Sequence, residues 1–210
     1  MSLLEVTTTK SSLLALRRQL AFAEEGYALL DQKRELLVFE LLRASARAKA
    51  AAGAAGAALK KAFFKLREAE LAGGSAAVDR AALGVKLEYG LKLWGRRLMG
   101  LRLPEASAAA RPAGARFGPG GTPAGADAAL RAFAAAVPLT AELAGLETSR
   151  RRLARELKKT QRRCNALSKK VIPDCRETIA YLGGALEERE REAYVELKMV
   201  RDRLRAAEVG

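Results

Sequence analysis

The sequence predicts a mainly α-helical protein: a long antiparallel two-helix, left-handed coiled coil formed by the N- and C-terminal arms, with a small β-hairpin-containing region between them. Three observations carry that expectation. In both arms apolar residues recur at alternating steps of three and four, the spacing of a left-handed seam. The chain is 50% hydrophobic but only 5% aromatic. Such alanine- and leucine-rich composition suits long helices, whereas a compact core draws most of its burial energy from aromatic and large aliphatic side chains. Between the arms the pattern switches to period two and then to glycine and proline. The expected divisions are residues 1–72, 73–125 and 126–210.

The first arm starts after Thr7, Thr8, Thr9, Ser11 and Ser12, which offer N-caps. Its seam runs Leu13, Leu16, Leu20, Ala23, Tyr27, Leu30, Arg34, Leu37, Leu41, Ala44, Ala48, Ala51, with Arg34 the one polar member. The pattern thins at Gly53-Ala54-Ala55-Gly56, where small residues either permit close helix approach or mark a weak spot. It recovers in Leu59, Phe63 and Leu66 before Gly73-Gly74.

From Leu83 to Leu93 every odd position is apolar, the mark of a half-buried strand. Trp94-Gly95 is the expected turn, with Met99, Leu101 and Leu103 on a return strand stopped by Pro104. Residues 105–125, rich in alanine, glycine and proline (Arg111-Pro112, then Phe117 to Pro123), read as a loop. Helix resumes near Asp127, a candidate N-cap. The second seam runs Leu139, Leu143, Leu146, Arg150, Leu153, Leu157, Thr160, Cys164, Leu167, Val171, then Cys175, Ile179, Leu182, Leu186, and last Ala193, Leu197, Val200, Leu204. The 4-4 spacing through Cys175 and Ile179 is a stutter that should locally unwind the coil. It coincides with Pro173, which removes a backbone bond and should bend the helix; Pro138 threatens a second kink. Antiparallel pairing is expected to put residues near 55 opposite the 140s to 150s.

Net charge is +14 with Lys+Arg 38 against Asp+Glu 24. Such an excess suits an acidic partner, protein or nucleic acid. Between Leu41 and Arg67 stand Arg43, Arg47, Lys49, Lys60, Lys61, Lys65 and Arg67 with no acid. Between Arg150 and Lys170 ten bases face Glu156 alone. The expected register sets much of both stretches at similar heights. Arg150, Arg151, Arg152, Arg155, Lys158 and Lys159 are therefore a candidate partner-binding collar, the alternative being a solvated face. Five acids within 187–196 repel phosphate, and no aromatic stacking platform or zinc spacing occurs, so no nucleic acid is expected.

Histidine is absent, which removes imidazole proton transfer and His-ligated metals. No GxxxxGK[ST] phosphate loop or nucleophile triad occurs, so no catalytic residue, cofactor or metal site is expected. The two cysteines, Cys164 and Cys175, lie about 16 Å apart on one helix, too far for a disulfide; reduced thiols suit a cytoplasmic chain. The N-terminus lacks a signal pattern and no apolar run approaches about 18 residues, so no membrane insertion is expected.

The stretch from Leu13 to Leu36 (LLALRRQLAFAEEGYALLDQKREL) resembles the opening helix of the D subunit of the V-type/A-type rotary ATPases and ATP synthases, through Gly26 and the Lys33-Arg34 ending. The C-terminal stretch is more similar still: Arg162-Arg163 with Asn165-Ala166-Leu167, then Ile172-Pro173, Tyr181-Leu182, and Glu188-Arg189-Glu190 within the 186–192 run. Glu25 and Asp31 stand where that family typically has bases, and Cys164 where valine is usual. The resemblance implies a non-catalytic central-stalk rotor. Its free helix ends would enter the catalytic head, and its hairpin end would join a small central-stalk subunit and the adaptor to the membrane rotor ring. It also implies a cytoplasmic location, peripheral to the membrane through the complex. A coiled-coil scaffold or a basic nucleic-acid-binding protein is the alternative.

Overall fold

A computed structural model describes residues 6–85, 89–110 and 122–209, and those residues are 83% helical. Helix α1 spans Lys10–Gly73 and α2 spans Ser75–Leu83; strands β1, Tyr89–Leu98, and β2, Leu101–Ala110, follow. Helix α3, Ala126–Ala166, passes through a π-helical segment, Leu167–Val171, into α4, Ile172–Val209. Two compact units divide the chain: Met1–Glu35 with Lys158–Gly210, and Leu36–Leu157.

In the first unit Thr9 caps α1, its Oγ1 accepting from the Ser12 backbone N–H at 3.2 Å. Leu16 and Ala23 are buried on the α1 side, with Thr160, Cys164, Ile172, Cys175, Thr178 and Leu182 buried on the other. Every expected seam position from Leu13 to Leu30 and from Thr160 to Leu186 is buried or half-buried. The pairing is pinned by Glu24 to Arg176 at 2.6 Å and Lys10 to Glu190 at 2.6 Å. Beyond Glu190 the expected seam residues Ala193, Leu197, Val200 and Leu204 are exposed, because α1 begins at Lys10 and α4 continues through Val209.

The stutter is resolved differently from expectation. The steps 164, 167, 171, 175, 179, 182 contain one residue more than a regular alternation. A π turn takes in that residue: the Ile172 backbone N–H donates to the Leu167 carbonyl, five residues back. The wide turn, rather than an unwound supercoil, keeps both Cys164 and Cys175 at 1% exposure. Pro173 fits directly after it, because its missing N–H leaves the Lys169 carbonyl, four residues back, without an α-helical partner.

In the second unit the core is Leu37, Leu103 and Leu153, with Leu41, Ala44, Leu98, Leu101 and Leu157 packed around it. Fully burying each leucine contributes about 1.5–3 kcal/mol. Toward the end of α1 the contact is made by Ala55, Ala62 and Ala69, each at most 1% exposed. Ala69 lies against Gly125, and Phe63 meets Phe133 edge-on at 5.2 Å. Close approach therefore comes from alanines. Gly53 and Gly56 have nothing within 4 Å of a built Cβ.

These contacts narrow the expected register. Ala54 lines a groove with Leu139, Glu142 and Leu146, so its neighbourhood meets the 140s, as expected, but not the 150s. Helix α3 begins at Ala126, one residue before the expected cap; Asp127 sits in the first turn and pairs with Arg131. The helix is continuous through Pro138.

The hairpin is also shifted. Leu83 ends α2 instead of starting a strand, and residues 86–88 lie outside the described residues. The turn is Met99-Gly100, with φ +48° and +81°, the doubly positive geometry that suits a two-residue hairpin. Trp94-Gly95 lies within β1, where Trp94 pairs with Glu105 and Gly95 with Pro104. Pro104 does not stop β2. It occupies a pair whose backbone groups point away from β1, where a missing N–H breaks no ladder bond. Residues 105–110, expected as loop, belong to β2, and 111–121 fall outside the described residues.

One helical stretch, Ala126–Arg205, holds an 18-residue window of mean hydropathy 1.3, 17% buried, long and apolar enough by composition to cross a membrane.

Candidate functional site

The hairpin is stapled to α3 by backbone acceptors on its outer edge. Ser149 Oγ donates to the Pro104 carbonyl at 2.8 Å, and an Arg152 guanidinium N–H donates to the Arg102 carbonyl at 2.7 Å. One helical turn before Ser149, Gly145 lets β2 lie directly on the helix: a Cβ there would sit 2.9 Å from the Ala106 nitrogen. On the α1 side Arg96 faces Glu40 at 3.5 Å. Trp94 Nε1 donates to Glu105 at 2.8 Å across the two strands.

The six collar residues separate into two kinds. Arg150 is engaged by Glu147, with N···O distances of 2.9 and 2.6 Å. That hydrogen bond and charge hold the Glu147 carboxyl below its ordinary pKa and Arg150 above its own. Arg151 lies 3.7 Å from the same carboxylate, and Arg152 holds β2. Arg155, Lys158 and Lys159 are exposed. Arg43 and Arg47 line a groove with Arg96, Glu40, Glu105 and Ser149. Lys60, Lys61 and Lys65 sit instead at the height of Phe133, through the neighbouring Phe63. The expected doubling of the two basic stretches is thus only partial, because the register differs. What flanks Arg152 is the basic strand set Arg96, Arg97 and Arg102, exposed on the hairpin. Sequence reasoning missed them by placing the turn at Trp94-Gly95. Gly100, the residue type that takes a positive φ without strain, was the signal available in the chain.

The motif residues fall into three places. Gly26 is half-buried in α1 with nothing within 4 Å of a built Cβ. Lys33 is half-buried, and Arg34 lies 2.6 Å from Asp31 Oδ1, an ion pair without a well-aligned hydrogen bond. Arg162, Arg163, Asn165 and Ala166 are exposed on α3, with Gln161 donating to Asn165 at 2.9 Å. Leu167 opens the π turn, while Ile172 and Pro173 follow it. The Asn-Ala-Leu and Ile-Pro pieces therefore bracket one wide turn. Glu188 pairs with Arg191 at 3.2 Å, and Arg189 donates to the Thr8 carbonyl at 3.0 Å. Glu190 receives Lys10, whose amine it raises above the ordinary pKa through that hydrogen bond and charge.

Neither cysteine forms a disulfide; both are buried thiols, and burial followed by the Asp174 charge pushes the Cys175 thiol up. Among the described residues no group of His, Cys, Asp and Glu is arranged to hold a metal.

The family model described as the D subunit of ATP synthase matches residues 12–202. An A-type ATP synthase D subunit of Methanopyrus kandleri is 34% identical over 200 residues, covering 94% of this chain and 86% of the relative. A V-type ATP synthase D subunit of Thermus thermophilus is 36% identical, covering 97% and 91%. An A-type ATP synthase D subunit of Thermococcus sibiricus is 33% identical, covering 99% of each.

Proposed function

This chain belongs to the ATP synthase D-subunit family, and from that premise we propose that it is the central-stalk rotor shaft of a V-type/A-type rotary ATPase. As a family member it is a subunit of such a complex, working among other ATPase subunits. In the proposed role it is non-catalytic, cytoplasmic and peripheral to the membrane, without inserting into it. The free ends of α1 and α4 enter the catalytic head, and the other end joins a small stalk subunit and the adaptor to the rotor ring. Rotation driven by ion flow presents a changing face to the nucleotide sites, and differential contact with their states couples the turn to nucleotide affinity.

The observation that carries this reading is the α4 extension. Beyond the Lys10–Glu190 pair, the helix exposes Tyr194, Leu197, Val200 and Leu204, each at least half exposed, alternating with charged residues. An apolar stripe of that kind, without a partner among the described residues, suits a surrounding sleeve. Its neighbours Glu187, Glu188 and Arg191 form exposed ion pairs, worth roughly 0–1 kcal/mol, which suits a surface that must slide.

The test is a reversible lock. A single cysteine at exposed Arg203 or Arg205 would be paired with one on the facing head subunit at disulfide distance. Because Cys164 and Cys175 are buried, the native thiols can stay in place. Oxidation should stop multi-site ATP turnover and reduction restore it. Full turnover in a fully cross-linked complex would end the rotor reading in favour of a static scaffold.

A further inference from the structure

We propose that the outer edge of β1 is a docking edge for an extended, acidic segment of a partner protein, which adds as a third strand to the hairpin. The inference stands on the hairpin itself and does not depend on the rotor reading.

The backbone geometry follows from the turn. With Met99-Gly100 as the two-residue connection, Leu98 and Leu101 form the first hydrogen-bonded pair, and bonded and non-bonded pairs alternate from there along the register. Arg97, Gly95, Leu93, Leu91 and Tyr89 therefore occupy non-bonded pairs, and their N–H and C=O groups point away from β2. On β2 the equivalent edge is covered by α3: the carbonyls of Arg102 and Pro104 accept from Arg152 and Ser149, and Gly145 packs against Ala106 N. On β1 no described strand takes them, because the sheet has two strands only. Such an edge is a template for strand addition unless something blocks it. Proline and bulges are absent from β1, and nine of its ten residues are exposed.

Side chains decide what is admitted. Tyr89, Leu91 and Leu93 share one face at 41%, 57% and 70% exposure. Arg97 lies on that face too, while Lys92 and Arg96 occupy the other. The strand carries three cations and no acid. Pairing with a second copy of itself would juxtapose like charges, which cross-strand energetics disfavours. A strand with apolar residues abreast of Leu91 and Leu93 and carboxylates abreast of Lys92, Arg96 and Arg97 is complementary on both faces. Backbone bonds supply the affinity and these side chains the selection.

Trp94 is the only tryptophan of the chain, lies on β1 and is half exposed, so its emission reports the edge. The experiment titrates the full chain with a synthetic Glu/Val peptide that sets Val abreast of Leu91 and Leu93 and Glu abreast of Lys92, Arg96 and Arg97. Parallel titrations use its Lys/Val counterpart, an acidic helical peptide and a short single-stranded oligonucleotide. A saturable Trp94 response to the Glu/Val peptide alone is expected. Leu93→Pro removes one outward N–H without touching a hairpin ladder bond, and should weaken binding at least tenfold. Lys92→Glu combined with Arg97→Glu should do the same by charge alone, and keeps the proposal testable if the proline variant misfolds. Unchanged binding by Leu93→Pro in a folded chain would overturn strand addition. An equal response to the Lys/Val peptide or the helical peptide would overturn the selectivity, and an equal response to the oligonucleotide would reassign the edge to phosphate. No response to any probe would refute the docking edge outright.

Discussion

Replacing glycine by alanine should move stability in opposite directions at two helical positions, Gly145 and Gly26. Taken alone, a Gly to Ala change in a helix interior stabilises by about 1 kcal/mol. At Gly26 that gain is unopposed, since nothing lies within 4 Å of the added methyl. At Gly145 the methyl would stand 2.9 Å from the Ala106 nitrogen and 3.4 Å from Glu105 backbone atoms. Backbone cannot swing aside as a flexible side chain would, so β2 must lift, and overpacking of this kind costs about 1–3 kcal/mol. Lifting also stretches the bond from Ser149 to the Pro104 carbonyl. Ser149 is 8% exposed, and stranding a buried donor costs about 1–3 kcal/mol. The net expectation for Gly145→Ala is a loss of about 1–5 kcal/mol, or a melting point lower by roughly 2–20 °C. Gly26→Ala should raise it by roughly 2–4 °C. Thermal melts followed by helical circular dichroism measure both. Trp94 emission gives a second readout, because displacement of β2 disturbs its bond to Glu105. A Gly145→Ala chain as stable as the parent, with unchanged Trp94 emission, would refute the close packing of hairpin on helix.

Leu153→Ala should cost about 2–5 kcal/mol because Leu153 is 1% exposed in the Leu37–Leu103 cluster; urea titration should show a lower midpoint. The raised Cys175 pKa means the folded state holds the thiol proton more tightly than the unfolded one. Stability from this group is therefore complete below the ordinary thiol value of about 8.5 and falls as pH rises above it, and a Cys175→Ala chain should lose that slope. Neither buried cysteine should react with a thiol reagent until the chain unfolds. Reversing Arg155, Lys158 and Lys159 together should weaken assembly with an acidic partner and leave the melt unchanged, since all three are exposed. Adding Arg150 and Arg152 should also lower stability, because these hold Glu147 and β2. Assembly and salt sensitivity that stay the same would reduce the collar to solvated surface.

The two seams were legible in the order of residues alone, and nearly every seam position up to Leu186 is buried or half-buried. Heptad spacing is a local property: each helix must put the same stripe on one side wherever its partner lies. The family motifs were legible for the same reason, since Asn165-Ala166-Leu167 and Ile172-Pro173 are contiguous in the chain. How the extra residue between Leu167 and Cys175 is absorbed was not legible. Unwinding the coil and widening one turn both keep a stripe in register, and the proline then favours the π turn. The hairpin likewise waited on the folded chain, because a period-two pattern says which residues share a face but not where the strand starts or turns; positive φ at Met99 and Gly100 ended the ambiguity. The height of one arm against the other depends on which side chains interlock across the gap, here Phe63 on Phe133 and Ala69 on Gly125. Neither partner of those contacts announces the other in the sequence. The basic surface inherits that uncertainty: charges can be counted along a chain, but which of them share a face is settled only when the register between the arms is.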